Sequence, residues 1–139
     1  MENRLLESFH IELEKATYIL WQLYMIIERL QEHLRIKPYS KEDIMGNYCD
    51  IKMHLFGLSV IFETILDRME KYGPKDKSLY DIIAHFNNEI NKIYDAFVDA
   101  EFTYEKDVVK GAEEFYNVSI ESLKIIKPIA DYLARELNL

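Results

Sequence analysis

The chain is poor in the residues that interrupt regular structure. Its 139 residues include only four glycines, three prolines and one cysteine. The lone cysteine, Cys49, excludes an internal disulfide and fits a reducing compartment. It falls one residue off the nearest apolar seam, which predicts a buried or half-buried, inert thiol. Glycines at 46, 57, 73 and 111 are too few and too scattered for a phosphate-cradling loop. Basic residues are also in deficit. Seventeen Lys and Arg against twenty-five Asp and Glu give a net charge of −8, which argues against a nucleic-acid-binding module. Arg29, Arg35, Lys37 and Lys41 supply only a local positive patch. Long apolar runs are missing too. The longest stretch without charge, Ala16 to Ile27, would span about 18 Å as helix, short of the roughly 20 residues a bilayer needs. The N-terminus lacks the basic and apolar regions of a signal peptide. A single cytoplasmic domain covering residues 1–139, without a membrane segment, is the expectation.

What the chain does have is four apolar seams at alternating spacings of three and four. The first is Leu6, Phe9, Leu13, Ala16, Leu20, Leu23, Ile27, Leu30 and Leu34. The second is Ile44, Tyr48, Ile51, Leu55, Leu58, Phe62, Ile65, Met69 and Tyr72. The third is Leu79, Ile83, Phe86, Ile90, Ile93, Phe97, Ala100 and Tyr104. The fourth is Val108, Ala112, Phe115, Ser119, Ser122, Ile126, Ile129 and Leu133. Such spacing puts one stripe on each helix, and stripes bury against one another. The sequence therefore predicts an all-α, up-down four-helix bundle with long antiparallel helices at about 3–36, 41–72, 78–102 and 106–137.

Boundary signals support five of these limits. Asn3 is a candidate N-cap, and Pro38 ends the first helix because the residue before proline is pushed out of the helical region. Ser40 opens the second, with Asp43 near its positive end. Gly73-Pro74 stops it, and Ser78 is a candidate cap for the third. Between Pro74 and Gly111 no breaker occurs, while the seam slips to spacings of four at Ala100, Tyr104, Val108 and Ala112. That slip places a turn within 101–111, with Thr103 a candidate cap and Gly111 a candidate C-terminal stop; one continuous helix is the alternative. Pro128 should kink the fourth helix, since it cannot donate to the carbonyl of residue 124.

No seam position carries Asp, Glu, His or Lys, so the interior offers no catalytic, cofactor or metal residues. His10, His33, His54 and His85 all lie off the seams. His10 and His85 would sit near one end of the bundle with Asp67, Glu70 and Asp131, but the paired Glu-x-x-His of a ferritin-like site is absent. Ser119 and Ser122 occupy seam positions where serine bonds back to the preceding turn. Tyr18, Tyr24, Tyr80, Tyr94, Tyr116 and Tyr132 flank the seams, where an aromatic body covers apolar area and a hydroxyl reaches outward.

Helices one and two carry more apolar surface than a bundle seam requires. Tyr18 to Ile27 is apolar nearly all round, and so is Met53 to Phe62. A fold-back at Pro38 puts Trp21 and Gly57 at one height, where glycine would let the indole approach the backbone. A helix apolar on all sides must be covered on all sides. Tyr18, Trp21, Met25, Met53, Phe56 and Val60 are thus the candidate interface, and the expected function is non-catalytic protein–protein interaction through a homodimer or another protein partner.

From Lys52 onward the layout resembles the HEPN superfamily of small, often dimeric helical bundles from toxin–antitoxin and defence systems. The resemblance lies in the second helix, the Gly73–Ser78 connection, the Leu79–Phe86 stretch and a last helix preceded by a polar turn, about 85 residues in all. It implies a ribonuclease or nucleotidyltransferase partner as an alternative function. Nuclease members carry Arg-x(4–6)-His. Here Arg29-Leu30-Gln31-Glu32-His33 has a gap of three and lies in the first helix, so no catalytic residue carries over. A metal or small-ligand bundle using His10 and His85 is a further alternative.

Overall fold

A computed structural model describes residues 7–72 and 77–139. It contains four long helices: α1 (His10–Arg35), α2 (Lys41–Lys71), α3 (Lys77–Lys106) and α4 (Val108–Glu136). Each packs against two neighbours, α1 on α2 and α4, and α3 on α2 and α4, so the up-down four-helix bundle expected from the seams is what forms. No strand occurs among the described residues. The expected Asn3 cap, the Leu6 seam position and the Gly73-Pro74 stop lie outside them.

The seams become the core almost position for position. Phe9, the N-cap of α1, and Leu13 through Leu34 on α1, Ile44 through Met69 on α2, Leu79 through Tyr104 on α3 and Ala112 through Leu133 on α4 are buried at every seam residue. The two exceptions lie at helix ends. Tyr72 is the C-cap of α2 and 82% exposed, and Val108, the first residue of α4, is also exposed. A terminal turn has no helix beyond it to cover its apolar side, so periodicity overshoots there.

The helix limits follow from local chemistry. Ile36 leaves α1 in an extended conformation ahead of Pro38, whose peptide bond with Lys37 is cis. Ser40 caps α2, its Oγ accepting from the Asp43 amide at 3.3 Å. Ser78 does not cap α3, which already contains Lys77 and Ser78.

The break between α3 and α4 is a single residue. Asp107 adopts an extended conformation and its carboxylate accepts from the Lys110 amide at 3.2 Å. Thr103 is not a cap; it stays inside α3, where its hydroxyl donates to the Asp99 carbonyl at 3.3 Å. Gly111 is not a C-terminal stop but belongs to the first turn of α4 and is buried. So abrupt a reversal brings α4 down onto Tyr104, and a Cβ at position 111 would overlap the Tyr104 backbone. Glycine is required there by close approach, not by an unusual dihedral. Pro128 lies inside α4, which continues through it to Glu136.

The polar groups inside the bundle are few and mostly satisfied locally. The Ser119 and Ser122 hydroxyls donate to the carbonyls of Tyr116 and Val118, each at 2.6 Å, and Thr17 donates to Leu13 at 2.8 Å. Asn47 Nδ2 donates to the Asp43 carbonyl at 3.0 Å.

Candidate functional site

Three contacts set the register of the α1–α2 hairpin from one end to the other. Arg68 Nη1 lies 2.9 Å from Glu12 Oε1, His54 Nε2 lies 3.4 Å from Gln22 Oε1, and His33 Nδ1 lies 3.8 Å from Asp43 Oδ2. This register aligns two windows that carry no Asp, Glu, Lys or Arg: residues 16–27 of α1 and 53–62 of α2. They form an uncharged belt across one face of the bundle.

The six candidate interface residues all lie on this belt and are all exposed. Met53, Phe56 and Met25 are 72%, 65% and 60% exposed, and Tyr18, Val60 and Trp21 between about a third and a half. They fall in three layers: Tyr18 with Val60, Trp21 with Phe56, and Met25 with Met53. The Tyr18 and Trp21 rings meet edge to face at 5.4 Å between centroids. Half-buried Ile19, Ile26 and Ile61 continue the apolar surface inward to the core. At comparable height the outer faces of α3 and α4 carry exposed Lys92, Asp95 and Asp99, and Glu121, Lys124 and Lys127. Scattered exposed apolar residues are ordinary, but six of them gathered at the middle of α1 and α2, with charge at the same height on α3 and α4, are not.

Two expectations about this region are corrected. A Cβ at Gly57 would meet nothing within 4 Å, so the Trp21 indole does not rest on the Gly57 backbone. By helical phase Trp21 leans toward α4 while Gly57 faces α1. Cys49, expected to be buried or half-buried, is exposed beside the Met53 end of the belt. One position off a seam on α2 already turns outward, because α2 is flanked only by α1 and α3.

The titratable side chains do not converge. His10 pairs with Glu14 four residues on at 3.3 Å. His85 borders an open groove of about 1000 Å³ between α3 and α4, whose floor includes Phe86, Ile125 and Ile129. Among the described residues no three His, Cys, Asp or Glu side chains are placed to hold a metal ion. Arg29 is exposed on α1, and His33 faces Asp43 in the same chain. The Arg35 guanidinium donates to the Tyr116 hydroxyl at 3.2 Å, tying α1 to α4, and the Tyr80 hydroxyl donates to Glu70, tying α3 to α2. That hydrogen bond raises the Tyr80 ionisation above the ordinary phenol range.

Among the described residues one buried side-chain polar atom is left over. The Tyr48 hydroxyl has no hydrogen-bond partner, although Glu101 faces it from α3. Burial first, then the Glu101 charge, push its ionisation far above the ordinary phenol range. Its ring is held by Phe115, 5.4 Å between centroids, and by the Lys52 ammonium 4.9 Å from the ring centre. Sequence periodicity, which sees only its apolar ring, gave no sign of it.

No protein-family model, no curated protein and no solved structure matches the chain. Among the described residues no helix is long and apolar enough to cross a membrane.

Proposed function

We propose that this protein works by protein–protein association through the α1–α2 face, with a second copy of the chain as its first partner. The observation that supports this is the uncharged belt, in which six exposed apolar side chains lie in three layers on a bundle of net charge −8. Covering these residues removes apolar area from water at roughly 25 cal/mol per Å². In this reading the association is non-catalytic, since the seam positions that form the core carry no Asp, Glu, His or Lys.

Size-exclusion chromatography with light scattering tests the reading. The wild-type chain should run at twice its 16.6 kDa mass. Met25→Glu combined with Phe56→Glu should give the single-chain mass with unchanged helical circular dichroism. A wild-type monomer at high protein concentration would sink the proposal.

A further inference from the structure

The charges that border the belt select one way for two copies to meet. At one end Arg29 of α1 lies at the height of Asp50 of α2. At the other end Lys15 of α1 lies at the height of Glu63 of α2. All four are exposed, and at both ends the base is on α1 and the acid on α2. Two face-to-face arrangements have two-fold symmetry. An axis perpendicular to the helices lays α1 against the mate's α1, bringing Lys15 to Arg29 and Asp50 to Glu63, like charge on like. An axis parallel to the helices lays α1 against the mate's α2 at unchanged height, bringing Arg29 to the mate's Asp50 on the groove side and Lys15 to the height of Glu63, which lies toward α3 and accepts from Ser59.

Resting on the association proposed above, we infer that the dimer axis runs parallel to the helices. Each α1 then packs antiparallel on the mate's α2. Two layers close on themselves: Tyr18 meets the mate's Val60 and Met25 its Met53, while Trp21, on the α4 side of α1, and Phe56, on the α3 side of α2, border them at the rim. The interface is isologous, so each contact occurs twice. Arg29 and Asp50 have the best geometry for a cross-pair, because by helical phase both lie on the groove side of their helices, close to the axis. Glu14 and Glu28, on the α4 side of α1, fall at the rim, where water and salt screen them.

Mixing single charge reversals separates this geometry from the association itself. Arg29→Asp and Asp50→Arg each place two like-charge contacts in a homodimer, and each should raise the dimer dissociation constant about tenfold. A one-to-one mixture restores opposite charges at both contacts, so it should form heterodimers tighter than either homodimer. Charge reversal within one chain would gain nothing from mixing. As a second readout, in a Cys49→Ser background, Met25→Cys chains mixed with Met53→Cys chains should cross-link under mild oxidation. Tyr18→Cys mixed with Met25→Cys should not. Dimers that show no recovery on mixing, or that cross-link Tyr18→Cys to Met25→Cys instead, overturn the parallel axis while leaving the α1–α2 association intact. A wild-type chain that stays monomeric overturns both.

Discussion

The side chain that Gly111 lacks would fall on the backbone of Tyr104. The two residues are seven apart in sequence and lie on either side of the one-residue reversal at Asp107. In an ordinary helix Gly→Ala gains about 1 kcal/mol. Here the sign inverts, because the added methyl must push α4 off Tyr104. Gly111→Ala should lower stability by about 2–4 kcal/mol, a range typical of core overpacking and strain. Urea denaturation followed by circular dichroism would show the lower midpoint; a gain in stability would contradict the close approach.

Asp107 holds the first turn of α4 through the Lys110 amide. Asp107→Ala should lose about 1 kcal/mol, and Asp107→Asn, which keeps an accepting oxygen, should lose less. The same thermal-melt comparison at Ser40 provides an internal reference, since Ser40 caps α2 by the same geometry.

Tyr48→Phe keeps the ring against Phe115 and removes the unpartnered hydroxyl. Stability at neutral pH should be unchanged or up to about 2 kcal/mol higher. The pH dependence has a definite sign. The unfolded chain ionises Tyr48 near the ordinary phenol value of about 10, while the folded state holds the proton well above it. The stabilising difference is therefore present below pH about 10 and is lost as pH rises beyond it, by at most about 1.4 kcal/mol per pH unit for this group. Burial shifts Tyr104 the same way. Denaturation curves from neutral to strongly alkaline pH should show a shallower fall in the Tyr48→Phe variant than in the wild type.

Leu58 and Met53 sit on opposite sides of α2, one fully buried and one 72% exposed. Leu58→Ala should cost about 2–5 kcal/mol in chain stability. Met53→Ser should change monomer stability by no more than about 0.5 kcal/mol, and its effect should appear in the dissociation constant of the dimer. A large loss of monomer stability from Met53→Ser would mean that this residue belongs to the core.

Much of the bundle was legible because core residues on long helices recur with a fixed period. Leu13, Leu20 and Ile27 are buried for the same reason that their spacing singles them out. The candidate interface was legible by contrast: Trp21 and Phe56 are apolar where the period calls for polar residues. The α3–α4 reversal was harder to read. A search for glycine, proline or a capping box looks past Asp107, which caps with Lys110 three residues on and is followed by two β-branched valines. Gly111 then reads as the end of a helix when it stands near the start of one. Nothing local distinguishes the two, because its role is set by Tyr104 on another helix.

By itself, the sequence determined the class of fold, the four stripes that meet inside, and the surplus of apolar residues on α1 and α2. These are local or periodic properties, and each follows from the dihedral preferences and hydrophobicity of successive residues. Only the tertiary structure decided where α3 gives way to α4, that Gly57 lies clear of Trp21, that Cys49 faces outward, and that the Tyr48 hydroxyl is left without a partner. These depend on how far apart and at what height two helices pack, a relationship between distant segments that no single stretch of sequence encodes.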